Sequence, residues 1–493
     1  MMTEATGKSH RMLFFNTIAF TVAFAAWMLN GVLVTFLVSN EVFDWSASEM
    51  GWLMGIPVLT GALMRFPVGI LTDKFGGKWV YGGLLLISAV PMYLLSTATT
   101  FNEYALYSFG FGITGATFAV GIAFTSVWYP KKNQGTVLGI FGAGNAGAAA
   151  TSLLAPAILL QLTASDNIEG WRTLPIYYSV MLVAMGIIFL LFTENRKTHA
   201  AEKSLGQMMK PLKDLQVWKF GLWYFLVFGC FVAFSQWLIP YFVNVYYLPL
   251  ITAGFLAAAF SFPSGVIRAF GGWLSDLYGG RKVMTAVLAT SVIISAMLMV
   301  PKVDIYSPGK GVIAKIPGTV TAVTENSVTV GKRVYKFSPK EEHHEYSATE
   351  SDNLHILPMK KAWQEAVVKV GDKVKKKQLL VKGTTRISFQ ANVWIFAILA
   401  ILLGAIWGIG KAGVYKYIPE NYPDDVGMVG GIVGVLGGLG GFFTPIVFGY
   451  LLEYTGLWSS AWAFMLVLSF AGMWWLLHDI AHKADKRAKL SQS

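Results

Sequence analysis

Arg65 to Lys78 reads R-F-P-V-G-I-L-T-D-K-F-G-G-K, and Arg268 to Arg281 reads R-A-F-G-G-W-L-S-D-L-Y-G-G-R. The two stretches share an arginine, Gly69 or Gly272, a hydroxyl residue, Asp73 or Asp276, an aromatic, the pair Gly76-Gly77 or Gly279-Gly280, and a base, all at the same offsets. A module used twice implies a duplicated architecture. Each copy starts inside an apolar run and ends in a charged turn. The aspartate closes the hydrophobic segment, the glycine pair permits a sharp turn, and Lys78, or Arg281 with Lys282, opens the next segment from its basic side. The pattern is a two-helix elbow at a membrane surface. Arg65 and Arg268 precede their aspartates by eight positions. At about 1.5 Å per residue, each lies roughly 12 Å inside an apolar layer about 30 Å thick. A guanidinium at that depth is costly and marks a substrate or ion path. Snorkelling or a tie to a carbonyl accounts for one such arginine, but less readily for two at equivalent repeat positions. Two facing arginines with no acid between them require an anion.

The whole chain agrees with a membrane setting. Over 493 residues, 55% are hydrophobic and 13% charged, which excludes an ordinary soluble multidomain protein. The net charge of +12 is spread over alternate short loops rather than one stripe, so it reads as positive-inside topology and not as a nucleic-acid surface. Twelve apolar runs of roughly 20 residues fall six between residues 13 and 193 and six between 218 and 478, which places both termini on the same, cytoplasmic side. Lys8 and Arg11 precede a first run too long for a signal peptide, so that run is a retained helix. The single cysteine, Cys230, permits no intrachain disulfide and reads as packing. The expected fold is an all-α, 12-helix polytopic membrane protein with a 6+6 pseudo-repeat. Residues 1–195 form the first half, 196–217 a cytoplasmic linker, 218–300 helices seven to nine, 392–478 helices ten to twelve, and 479–493 a basic cytoplasmic tail. Residues 301–391 form a small β-rich extracytoplasmic insertion between helices nine and ten.

Parallel six-helix repeats with a midplane site are the pattern of major facilitator transporters, and the two elbows resemble the cytoplasmic loop motif of that superfamily. Two glycine-rich helices narrow the resemblance. Span five carries G-I-F-G-A-G-N-A-G-A-A-A, from Gly139 to Ala150, and span eleven carries G-M-V-G-G-I-V-G-V-L-G-G-L-G-G-F-F-T-P, from Gly427 to Pro445. Small residues at this spacing let helices approach closely and slide, as Gly142, Gly144 and Gly147 would in the first and Gly437, Gly438, Gly440 and Gly441 in the second. With Asn145 and the Gly-Gly-Phe-Phe segment, the pair resembles the two signature segments of the nitrate/nitrite porter family, over essentially all of the chain outside 301–391.

That resemblance implies that Arg65 and Arg268 clamp a planar anion, that Asn145 contributes an amide, that Tyr224 and Phe228 of the segment Y-F-L-V-F-G-C-F line the site, and that Phe118 opposes them. The chemistry agrees. Guanidinium is planar and always charged, so it meets a trigonal oxyanion with paired N–H donors, and aromatic walls strip the flat anion of its hydration. Read from the residues alone, the aromatics are ordinary packing and Asn145 is glue between helices.

Within the spans no Asp, Glu or His lies away from the ends: Glu49, Glu103, Glu194, Glu453 and Asp479 all fall at borders. Proton-coupled carriers commonly use such groups in relays. Their lack favours exchange of one anion for another, because an empty site with two buried positive charges resists reorientation. Lys411, near the cytoplasmic end of span ten, reads either as a snorkelling lysine or as a third positive group whose protonation could change, giving a proton-linked route.

In the insertion, Ile316 to Phe337 alternates apolar and polar residues about a turn at Glu325-Asn326, and V-K-V-G-D-K-V, from Val368 to Val374, resembles a turn of biotinyl/lipoyl-type barrel-sandwich domains. No Met-Lys-Met attachment hairpin is present, so neither lipoate nor biotin is expected, and no other cofactor. His343, His344 and His355 lack the spacing of a metal site and read as a solvated loop. The insertion is a tolerated ornament or docks an unidentified partner. The sequence thus points to a non-enzymatic nitrate/nitrite antiporter of a prokaryotic inner membrane, working as a monomer by alternating access. The alternatives are a proton- or cation-coupled nitrate importer on the same fold and a transporter-like nitrate receptor.

Overall fold

The computed structural model describes residues 7–130, 134–165, 167–196, 210–300, 303–339, 359–389, 391–422 and 426–490. Among them, 11 helices are long and apolar enough to cross a membrane, and a pair bent by 47° brings the number to 12. In chain order they are α1 (Gly7–Ser39), α2 (Ala47–Phe75), α3 (Gly77–Thr97), α4 (Phe101–Ser126), α5 (Val137–Leu162), α6 (Ile168–Phe192) and α7 (Leu215–Tyr246). They continue with α8 (Leu250–Val266 and Arg268–Tyr278), α9 (Gly280–Leu298), α10 (Val393–Asn421), α11 (Val426–Thr455) and α12 (Ser460–Leu490).

The elbows form as their sequence requires. α2 ends at Gly76 with φ 86° and α8 at Gly279 with φ 83°, a left-handed region that disfavours any side chain, and the following helices begin at Gly77 and Gly280. Two of the border acids are helix caps: Glu49 closes a capping box with Ser46, and Glu103 closes one with Thr100.

The signature glycines bring backbones together. A Cβ added to Gly438 would stand 2.6 Å from Ala62 Cβ of α2, one on Gly437 would stand 2.2 Å from the Tyr224 ring, and one on Gly440 would stand 2.7 Å from Phe225 O of α7. At Gly441 it would meet Val58 at 2.9 Å. In α5, Gly144 lies against Phe20 at 2.5 Å and Gly147 against Thr21 O at 2.1 Å. Gly69 and Gly272 differ: a Cβ at either position meets nothing within 4 Å.

Residues 300–396 form a separate compact unit. Its strands are β1 (Val303–Ile313), β2 (Gly318–Thr324), β3 (Ser327–Val330), β4 (Arg333–Lys336), β5 (Met359–Ala366), β6 (Lys373–Val374) and β7 (Leu379–Phe389). They make two antiparallel sheets, ordered β1-β7-β5 and β4-β3-β2-β6. Thr324 pairs with Ser327, so Glu325-Asn326 is the hairpin turn that the alternation predicts. Gly371 supplies a φ of 96°, and the Asp372 carboxylate accepts from Lys369 N at 2.7 Å, closing the Gly-Asp turn. Val320, Val328, Val330, Val374, Leu380 and Val381 form the core. His343, His344 and His355 lie outside the described residues.

Candidate substrate-binding site

Arg65 of α2 and Arg268 of α8 meet over one ring. Arg65 Cζ stands 5.5 Å and Arg268 Cζ 5.8 Å from the centroid of Phe118 on α4. Arg65 also lies 5.4 Å from Phe228, and Arg268 lies 5.6 Å from Tyr415 of α10. Tyr224 and Phe228 stack at 5.0 Å with 6° between their planes, and Tyr224 meets Tyr415 edge-on at 5.1 Å. The predicted residues Arg65, Arg268, Phe118, Phe228 and Tyr224 are therefore one cluster, drawn from both halves.

Four of the spans that supply it depart from regular α-helix at this level. α4 tightens into a 3-10 turn at Gly112–Ala116, just before Phe118, and α5 does so at Ala143–Asn145. α7 widens into a π-turn at Phe225–Cys230, and α8 breaks between Val266 and Arg268. Such turns redirect side chains and expose backbone groups, and they gather at functional sites.

The cluster holds donors without acceptors. Arg65 Nη1 donates to Gly434 O of α11 at 2.7 Å, but Arg65 Nε, Arg268 Nη1 and both amide atoms of Asn145 are buried with no hydrogen-bond partner. Asn145 lies against Gly265 of α8, where an added Cβ would lie 3.7 Å from Asn145 Cβ. A Cβ on Gly142 would lie 3.6 Å from Arg268 Nη1. Each unmet buried donor costs roughly 1–3 kcal/mol, so the arrangement suits a guest rich in acceptors. None of the ion pairs among the described residues involves either arginine.

Lys411 is not a snorkelling end lysine. α10 continues to Asn421, ten residues past Lys411, so the side chain is an interior one: it is 0% exposed, and its Nζ donates to Ser264 Oγ at 2.9 Å. Sequence reasoning also missed Tyr415 and Ser264. Tyr415 carried a signal, because it follows Lys411 by four positions on one helix face, whereas the spacing of Ser264 from Arg268 is interrupted by the break between Val266 and Arg268. Gly434 O left no sequence signal. Asp479, read as a border residue, is buried and pairs with Lys219 at 2.7 Å.

Cys230 is buried, with its Sγ 3.6 Å from Thr444 Oγ1, as packing requires. No group of three or more potential metal ligands occurs among the described residues. With two fixed cations, unmet planar donors and aromatic faces, the site can hold a flat anion.

The profile of the Major Facilitator Superfamily matches residues 16–342 and 380–492. The chain is 34% identical over 472 residues to a probable nitrate/nitrite antiporter, NarK1, of Thermus thermophilus, an alignment covering 94% of this chain and 90% of the relative. It is 25% identical to a probable nitrate transporter, NarT, of Staphylococcus haemolyticus, over 92% of each chain. Among solved structures it is similar to the nucleoside transporter NupG, with a TM-score of 0.60 at 11% identity over 95% of this chain and 99% of that one. It also resembles a bacterial homolog of the human lysosomal transporter Spinster, with a TM-score of 0.57 at 14% identity over 97% and 96%.

Proposed function

The chain belongs to the nitrate/nitrite porter family of the Major Facilitator Superfamily, and from that premise we propose that it exchanges nitrate for nitrite across the inner membrane by alternating access, with the anion held between Arg65 and Arg268. The observation that carries this reading is the Phe118 ring shared by the two arginines, with Arg65 Nε and Arg268 Nη1 buried and unmet. A planar oxyanion laid against that ring accepts from donors of both halves at once, so its binding energy pulls the halves together. Removing it leaves two like charges facing each other, which opposes reorientation of the empty carrier. Exchange follows from that asymmetry. Tetrahedral, divalent anions fit a slot between flat rings less well.

Two features support alternation between an inward and an outward opening. Close glycine contacts join the halves along α2–α11 and α5–α8: an added Cβ would stand 2.3 Å from Pro445 O at Gly51, 2.6 Å from Ala62 Cβ at Gly438, and 2.2 Å from Ser152 O at Gly254. These contacts lie at the level of the arginines or on the side away from the elbows. On the elbow side, Gly69 and Gly272 meet nothing. Close contacts of this kind can separate and re-form as the halves rock.

The test is nitrate uptake into proteoliposomes that are empty or preloaded with nitrite. Uptake that requires internal nitrite and is lost in Arg65→Lys and Arg268→Lys supports the arginine-clamped exchanger. Equal uptake into empty vesicles would overturn exchange, and normal nitrate binding by both variants would overturn the site.

A further inference from the structure

Lys411 sits behind the wall of the anion site. Its Nζ lies 5.9 Å from the Phe228 centroid and 3.1 Å from that of Phe231, and its one hydrogen-bond partner among the described residues is the neutral Ser264 Oγ. The Phe228 ring that it approaches also carries Arg65, at 5.4 Å. On α8 and α10 the contacts form two rungs, Lys411 with Ser264 and Tyr415 with Arg268. On α10 the rungs are one helical turn apart, about 5–6 Å.

The elements packed against α10 around Lys411 present these groups. α9 presents Val287 and Met284, which an added Cβ on Gly410 or Gly413 would touch, and α7 presents Val227, Phe228 and Phe231, with Tyr224 one turn away. α8 presents Ser264, Ile267 and Arg268, α10 itself presents Tyr415, and Arg65 lies beyond Phe228. None of these is an acid. A protonated amine in the empty site would bring three positive charges into one apolar enclosure with a single neutral acceptor. An anion between the arginines removes one unit of that opposition.

We propose that Lys411 takes up a proton as an anion enters between Arg65 and Arg268 and gives it up as the anion leaves. The proton comes from solvent hydronium or a buffer acid: its bond to the donor breaks, the electron pair stays on the donor, and the Nζ lone pair forms the new N–H bond. An arginine cannot make this exchange, because it stays charged. The inference rests on the anion reading of the site. It adds to that reading a proton that accompanies nitrate and nitrite alike, so that exchange stays balanced while any net uptake of anion carries a proton with it.

Calorimetric titration of the full chain with nitrate, in two buffers of equal pH but different ionisation enthalpy, counts the protons taken up. The same titration from pH 6 to pH 9 follows affinity. In the wild type the observed heat depends on the buffer, and affinity falls as pH rises, by at most about tenfold per unit for a single linked proton. K411M is expected to bind weakly and K411R more tightly, both with heats independent of buffer and flat pH profiles. A lysine that merely shapes the wall would change affinity in these variants and leave buffer dependence in place. Buffer-independent heats in the wild type would overturn the proposal alone. So would a pH dependence that survives in K411M, which would assign the proton to Tyr224 or Tyr415. If the wild type binds no nitrate, the anion site fails, and the proposal fails with it.

Discussion

The first and last spans of each half are joined by ions at equivalent places, and the two joints differ in burial. In the N-terminal half, Lys8 and Arg11 of α1 reach Glu194, just past α6, at 2.7 and 3.0 Å, with side chains 53%, 49% and 40% exposed. In the C-terminal half, Lys219 of α7 reaches Asp479 of α12 at 2.7 Å, with side chains 11% and 7% exposed. Surface pairs contribute little because water screens both charges. A buried pair is costly to break, because removing one partner strands the other in a medium of low dielectric. The repeat therefore preserves a connection while changing its energetic weight, and each half must be judged by its own surroundings.

Asp479→Ala, which leaves Lys219 buried and alone, is expected to cost on the order of 3–5 kcal/mol. Thermal unfolding in detergent checks it, and a variant as stable as the wild type would erase the difference between the halves.

The arginines follow in size. Arg65→Lys and Arg268→Lys each lose fork-shaped donation to the anion, and nitrate affinity should fall about 10- to 100-fold, the equivalent of roughly 1.5–3 kcal/mol for a charge-assisted bond. Arg65 also spans the halves through Gly434 O, whereas Arg268 has no such tie. Arg65→Gln should therefore lower the unfolding temperature of the anion-free protein more than Arg268→Gln does, and equal losses would contradict that asymmetry.

The elbows sharpen the comparison further. Alanine at Gly76 or Gly279 is strained by positive φ, by about 1 kcal/mol. At Gly76 alone the new Cβ would also fall 2.2 Å from Asn195 Oδ1, whereas at Gly279 it meets nothing. Gly76→Ala should thus lose more stability and more transport than Gly279→Ala. Alanine at Gly69 or Gly272, inside helices with open space, should leave both nearly unchanged.

The smallest effect is expected at Glu194. Its hydrogen bond from Lys8, with the nearby charges of Lys8 and Arg11, holds its carboxyl below the usual range. A lowered carboxyl contributes stability that is present above its unfolded value of about 4.3 and is lost as pH falls through the folded one. Glu194→Gln should leave the unfolding temperature at neutral pH unchanged and flatten only the acid end of the stability profile.

The fold was legible because its signals are local and repeated. Elbow glycines, apolar run lengths and border charges each report a segment without reference to the rest of the chain. The arginines were legible for the same reason, since their depth follows from counting back to Asp73 and Asp276. Lys411 was left between two readings because run length locates a helix end only to within a turn or two, and that error decides whether a lysine reaches water. The Lys219–Asp479 pair was hidden for a different reason: its partners are 260 positions apart, and each alone looks like an ordinary border residue. Tyr415 was a matter of helix face, readable once Lys411 is placed inside.

The π-turn at Phe225–Cys230 makes chain length part of the binding chemistry. A π-turn accommodates one residue more than an α-turn of the same rise, and one residue in a helix is worth about 100° of rotation. Deleting a single residue from this segment would restore regular helix. It would also swing either Tyr224 or Phe228 away from its partner across the gap, although every side chain now touching Arg65 would still be encoded. The count of residues between 224 and 231 is thus as much a determinant of the pocket as their identities, and a substitution scan alone would never detect it.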